Sequence, residues 1–193
     1  MRVNEAGRPA YHFVMDASSN RAVSSLYEID AHEESWFDVS HHRSLRYERR
    51  NVEKDETRTK KVRFDQASNT ATVIERGETK TETTSPEAVD QLAFIYYVRL
   101  LDLKPGARFV LRNQVDPADN PVSIRVLKKE RVRVPAGTYD AWVLQLDVKT
   151  DSGLFKKGGE NRIWVTADDR RIPVRITSKI GIGSFQAELV AGR

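Results

Sequence analysis

A chain of 193 residues, 39% hydrophobic and 31% charged, has the size and composition of one folded domain. It holds no cysteine, which excludes disulfides, thiolate metal sites and cysteine nucleophiles together. Its formal charge is a modest +4, and its longest apolar run, Leu92–Val98, falls far short of the roughly 20 residues a membrane-crossing helix needs.

The N-terminal stretch Met1–Gly7 lacks the basic and then apolar run of a secretory signal. Alternation follows at Tyr11, Phe13 and Met15 and again at Ser35, Phe37 and Val39, the period of half-buried strands. Between them, Ser19–Glu28 is compatible with one short helix. The run Arg43–Glu53 is expected to pair with Thr57–Asp65, and Asn69–Arg76 to follow as a further strand. Nine basic residues crowd into Arg43–Arg63, interrupted by Glu48, Glu53, Asp55 and Glu56. Interspersed acids first suggest a solvated, mixed-charge sheet face. The functional reading is a ribbon that steers anionic partners, carried by Arg46, Arg49, Arg50, Lys60 and Lys61.

One segment breaks the strand pattern. Ser85-Pro86-Glu87 offers an N-cap serine, a proline at the first helical position and an acid in the first turn. Val89, Leu92, Ala93, Tyr96, Leu100 and Leu103 follow at helical spacing until Lys104-Pro105-Gly106. Phe94, Ile95, Tyr97, Val98 and Leu101 fill the remaining sides, so the predicted helix Pro86–Leu103 is apolar all round and must be buried all round.

Alternation returns beyond it. Val122, Ile124, Val126, Val132 and Val134 share one parity; so do Trp142, Leu144, Leu146 and Val148; so do Ile172, Val174, Ile176, Ile180 and Ile182; Phe185, Ala187 and Leu189 close the series. Turn residues at Pro117–Pro121, Pro135-Ala136-Gly137, Asp151-Ser152-Gly153 and Lys157-Gly158-Gly159 separate them. Short strands without alternating helices predict an antiparallel meander. The fold expected is mainly β: a curved antiparallel sheet, a half-barrel, wrapped around one buried helix, in a single domain over residues 1–193.

No nucleophile elbow, phosphate loop, dinucleotide fingerprint or zincin helix is present, and no catalytic residue or cofactor is assigned. Gly181-Ile182-Gly183 lacks a third glycine and reads as strand irregularity. His41-His42 beside Glu33 and Glu34 is a poor metal site, because neighbours on a strand point to opposite faces. Asp168-Asp169 is read as a turn rather than an acid/base pair. Tyr96, Tyr97, Leu100, Trp142 and Trp164 are the residues to line an apolar cavity between helix and sheet, although large aromatics more often simply fill a core.

Several landmarks carry a resemblance: Asp90–Arg99 with Leu103 and Pro105-Gly106; Arg131–Tyr139; Ile163-Trp164-Val165 with Asp168 and Arg170–Val174; Glu34–Asp38; and Val62–Asp65. In this order and spacing they resemble the bacterial domain of unknown function family 3108, over about Gly7 to Leu189. The resemblance implies an exported, periplasmic or envelope protein of Gram-negative type bacteria, with a fold similar to the half-barrel of lipoprotein carriers and no catalytic residues to carry over. Against the family, the chain looks short of a signal segment and two first strands, which would leave an unpaired sheet edge.

The function expected is therefore non-enzymatic. The first expectation is an envelope protein holding an apolar or amphipathic ligand, such as a lipid, or a protein partner in the concave side of its sheet. The alternative is a structural or scaffold protein docking an acidic partner or anionic surface through the ribbon 43–63. Nucleic acid is not expected, because only Tyr47 and Phe64 interleave the basic residues with stacking rings.

Overall fold

A computed structural model describes residues 1–18, 30–53, 56–150, 154–180 and 183–190. The short helix expected over Ser19–Glu28 lies outside the described residues, as do Lys54, Asp55, the turn 151–153 and Gly181-Ile182. The chain divides into two compact units, residues 1–93 and 94–193. Among the described residues, the expected antiparallel β-structure is distributed over two sheets, with one short α-helix.

The first unit is a seven-stranded meander: β1 (Arg2–Glu5), β2 (Arg8–Ser18), β3 (Asp30–Asp38), β4 (Ser44–Glu53), β5 (Glu56–Asp65), β6 (Thr70–Glu75) and β7 (Glu78–Thr83). Each strand pairs antiparallel with the next. Among the described residues, two connections are two-residue hairpins, Ala6-Gly7 and Arg76-Gly77, with φ of 49° and 83° and of 53° and 80°. Positive φ at both central positions matches the right-handed twist of the strands, and a glycine in the second position meets half of that demand without strain.

Register sorts the side chains onto two faces. Ala31, Glu33, Ser35 and Phe37 of β3, Tyr47 of β4, Val62 and Phe64 of β5, and Ala71 and Val73 of β6 are buried. The opposite face presents His12, Val14 and Asp16, then His32, Glu34 and Trp36, then Arg46, Glu48 and Arg50, then Lys61 and Arg63, then Thr72 and Ile74.

The helix is shorter than its periodicity predicts. Ser85-Pro86-Glu87 belongs to a turn, with Glu87 at φ 54°. The Ala88 carbonyl then accepts from the Ser44 N–H at 2.9 Å, holding this stretch against the start of β4. Helix α1 begins only at Gln91 and runs to Tyr97, followed by a 3-10 turn over Val98–Leu100. Local capping signals at Ser85 lose to this non-local hydrogen bond. Leu92, Ala93, Phe94 and Ile95 are each buried, as a helix apolar on every side requires.

The second unit carries a six-stranded antiparallel sheet: β8 (Arg108–Leu111), β9 (Val122–Val134), β10 (Gly137–Asp147), β11 (Glu160–Thr166), β12 (Pro173–Ile180) and β13 (Gly183–Glu188), each beside the next. The common parity expected for Val122–Val134 does not place them on one face. Register shifts between Val143 and Leu144, so that Val143 faces Lys128 but Leu144 faces Val126, with Leu127 as the extra residue. A bulge of this kind moves everything beyond it to the other face. Ile124 and Val126 therefore pack with Leu144 and Leu146, whereas Val132 and Val134 join Ala141, Val143, Trp164 and Val174 in a separate cluster. A second shift, between Trp164 and Val165, similarly separates Val174 from Ile176, which faces Ile163.

Candidate functional site

The outward face of the first sheet carries its richest side-chain chemistry. Trp36 lies between its two cross-strand partners, His12 on β2 and Arg46 on β4. The His12 ring stacks at 4.4 Å between centroids, and the Arg46 guanidinium carbon sits 4.1 Å from the indole centroid. This is a cation–π contact with its cation held in place: Arg46 Nε donates to Glu48 at 2.8 Å, and its Nη1 lies 3.7 Å from Glu5. On the other side of Trp36, His12 Nε2 meets Glu34 Oε2 at 2.6 Å, His32 Nε2 meets Glu34 Oε1 at 3.3 Å, and His32 Nδ1 meets Asp16 at 2.6 Å. The result is a continuous ladder, Asp16–His32–Glu34–His12–Trp36–Arg46–Glu48, drawn from three strands.

Next to Arg46 the face opens into a cleft of about 340 Å³, lined by Arg46, Glu48, Lys61, Val62, Arg63, Thr72 and Ile74. Lys61 reaches Glu48 at 3.9 Å, while Arg63 has no ion-pair partner among the described residues. Ile74, 44% exposed, leaves an aliphatic surface beside these cations, and Val14, 45% exposed, does so next to the ladder.

The basic run does not lie on one face of the sheet. Arg46, Arg50 and Lys61 stand on the outward face, but Arg49 and Lys60 face each other on the side of Tyr47 and Val62. Much of the charge is already compensated: Arg43 by Glu87 at 3.3 Å, Arg50 by Asp30 at 3.6 Å, Arg58 by Glu56 at 2.7 Å and Lys60 by Glu75 at 3.5 Å. Strand alternation thus divides what a charge count treats as a single patch.

Beneath the buried face lies a second polar group. Asp90, 2% exposed, accepts from Ser35 Oγ at 2.7 Å, Ser44 Oγ at 2.6 Å and the N–H groups of Leu92 and Ala93 at 3.0 and 2.9 Å. It is the N-cap of α1. Glu33, 4% exposed, accepts from Tyr47 at 3.0 Å and from Gln91 Nε2 at 2.8 and 2.9 Å. Burial, with the Glu33 and Asp90 charges nearby, pushes the Tyr47 hydroxyl far up, so it stays a neutral donor. Every partner here belongs to the fold, and the group reads as the anchor between helix start and sheet.

The proposed cavity-lining residues are dispersed. Trp142 faces Val165 and Trp164 faces Val143, so the two indoles stand on opposite faces of the second sheet. Trp164 is buried in the Val132 cluster and donates from Nε1 to Glu130 at 2.7 Å. Leu100 is 51% exposed, whereas Tyr96 and Tyr97 are half-buried at the end of α1. Asp168 sits in a turn, accepting from Thr166 Oγ, from Arg170 Nε at 2.9 Å and from the Arg171 N–H. These partners, Thr166 foremost, hold its carboxyl below the usual range. His41 contacts Asp38 at 3.2 Å, and His42 stacks on Phe37. Among the described residues, no group of three or more histidines and carboxylates is arranged to hold a metal ion.

Sequence reasoning missed His12, His32, Glu34 and Trp36. Their spacing carries no motif, and only the register of three strands brings them together. The available signal was the alternation His32–Glu34–Trp36, two titratable side chains and an indole on one strand face with Ser35 and Phe37 on the other.

Comparison with solved structures finds the "Beta-barrel-like Protein of Domain of Unknown Function DUF1849 from Brucella abortus", at a TM-score of 0.52 and 11% identity, covering 98% of this chain and 84% of that one. The likeness is one of fold. No curated protein matches the chain. The model of the family described as "Protein of unknown function (DUF3108)" matches residues 1–190. With nearly its whole length matched and a mainly antiparallel β-fold, the chain belongs to the DUF3108 family.

Proposed function

We propose that the chain is a non-enzymatic cell-envelope protein that docks on an anionic phospholipid surface through the outward face of β3–β6. The observation that carries this reading is the cleft, with Lys61 and Arg63 beside the exposed Ile74 and the Trp36–Arg46 stack. Cations attract phosphate headgroups, while aliphatic and indole edges suit the headgroup boundary. The envelope placement rests on the export character that the family resemblance implies. Absence from catalysis is part of the proposal: the perturbed carboxyls are bound by fold-internal donors and do not converge on an open cavity.

The test is co-sedimentation with vesicles of phosphatidylglycerol in phosphatidylcholine, against phosphatidylcholine alone, at pH 6. Binding to the anionic vesicles is expected to fall steeply between 50 and 300 mM salt. The Lys61→Glu/Arg63→Glu variant should bind about thirtyfold or more weakly, since loss of each surface cation costs roughly 1 kcal/mol. Equal binding to neutral vesicles, or no effect of the double reversal, sinks the proposal.

The second reading, an apolar or amphipathic ligand on the buried side of a sheet, has the carrier-like resemblance in its favour. Tyr96, Tyr97, Leu100, Trp142 and Trp164 do not give it a convergent lining. Native mass spectrometry of protein purified without detergent separates the two: co-purifying lipid at stoichiometric level would favour this reading.

A further inference from the structure

The docking face has two halves of different character. On β4–β6 it offers Arg46, Lys61 and Arg63 around Glu48; on β2–β3 it offers Asp16 and Glu34, both engaged by imidazoles. We propose that His12 and His32 make docking of this face pH-dependent, their protonation changing the β2–β3 half from acidic to charge-balanced. The inference rests on the docking reading and adds its regulation.

The geometry suits the role. Both Nε2 atoms point at one carboxylate, and His32 bridges that carboxylate to a second. Imidazole is the side chain whose ordinary titration falls between pH 5 and 8. Besides Asp30, which pairs with Arg50, the half with both rings neutral carries two carboxylates that repel phosphate headgroups; with both rings charged, the two are cancelled. The other groups facing the histidines leave this balance in place. On β4, Arg50 lies opposite His32, but it is 3.6 Å from Asp30. The N-terminal ammonium donates to the His12 carbonyl at 3.1 Å and makes no contact with its ring nitrogens. Arg46 is separated from His12 by the Trp36 ring.

The hydrogen bond to Asp16 outweighs the cost of burial and raises the proton affinity of His32, with Glu34 acting in the same direction. Burial pushes the Glu34 carboxyl up, but the two imidazoles outweigh it and hold it below the usual range. By linkage, a surface that binds the protonated face more tightly also tightens the histidines' hold on their protons.

Binding to phosphatidylglycerol vesicles at pH 5.5 and pH 8.0 tests this directly. Two added surface charges are expected to strengthen binding at the lower pH by on the order of tenfold. The His12→Gln/His32→Gln variant should bind alike at both values. Glu34→Gln should bind better than wild type at pH 8.0, and single His32→Gln, at a part-exposed position, carries the test if the double variant fails to fold by circular dichroism. Full pH dependence in the histidine variants overturns the inference. So does wild-type binding that is salt-sensitive yet equal at both pH values, which leaves docking itself intact. No binding to anionic vesicles at either pH overturns the docking reading and this inference with it. In the free protein, a His32 ring resonance that fails to titrate between pH 5 and 8 overturns the inference independently of any vesicle.

Discussion

Asp90 is a carboxylate with four donors and no cation, closed off from water. Burial pushes its carboxyl up to about 6, against the pull of its hydrogen bonds, with the Glu33 charge adding to the rise. A group whose folded pKa exceeds its unfolded value stabilises fully below that unfolded value, here 3.8, and that contribution is lost as pH rises through about 6. Asp90→Asn is therefore expected to flatten the change in stability between pH 4 and 7, as followed by urea unfolding. Asp90→Ala removes the helix cap and strands two serine hydroxyls, at a cost of about 2–4 kcal/mol. A loss below about 0.5 kcal/mol would contradict the assignment of Asp90 as the anchor. Nothing in the sequence singled out this residue, because Ser85-Pro86-Glu87 satisfies every local rule for a helix start. The Ser44 N–H to Ala88 bond that moves the start to Gln91 spans more than forty residues.

At the level of single elements, β9 and α1 make the sharpest cases. Leu127 is the extra residue of the β9 bulge. Deleting it restores a regular ladder, Val126 opposite Leu144 and Lys128 opposite Val143, at the cost of Leu127's own packing on the Val132 cluster. Deleting Arg131 instead turns Val132 and Val134 to the wrong face. Thermal melts should show the Leu127 deletion folded with a modestly lowered Tm, and the Arg131 deletion severely destabilised or unfolded. Equal loss in both would refute the bulge. Beyond α1, Arg171 donates through Nη1 to the carbonyls of Arg99 and Leu101. It serves helix-end acceptors that no glycine cap covers. Arg171→Ala is expected to cost about 1–3 kcal/mol and to speed amide hydrogen exchange through 98–101. Unchanged exchange there would remove this role. Strand existence was legible in β9, β10 and β12 from period two, but a bulge leaves no mark in a count of alternating residues.

For the chain as a whole, opposing titrations set a preferred pH. His32 and Asp90 are raised, so each contributes stability at low pH that fades as pH rises through its folded pKa. In Glu34 and Asp38 burial is outweighed by hydrogen bonding, in Asp168 the Thr166 hydrogen bond outweighs burial, and the lowered carboxyls lose their contribution as pH falls through their folded values. Urea unfolding from pH 3 to 8 should therefore show a maximum between roughly pH 4 and 5, where the lowered carboxyls already contribute and Asp90 has lost little, and a steady rise to pH 8 would exclude it. No helix among the described residues is long and apolar enough to cross a membrane. By itself the sequence determined the β-class, the apolar helix and the exclusion of cysteine chemistry, because these follow from composition and local periodicity, and its landmark segments carried the family resemblance. Tertiary structure decided where the helix starts, which faces Val132 and Val134 occupy, how the basic run is divided, and that His12, His32 and Glu34 meet. Those outcomes depend on strand register, and register is set by pairing between segments far apart in the chain.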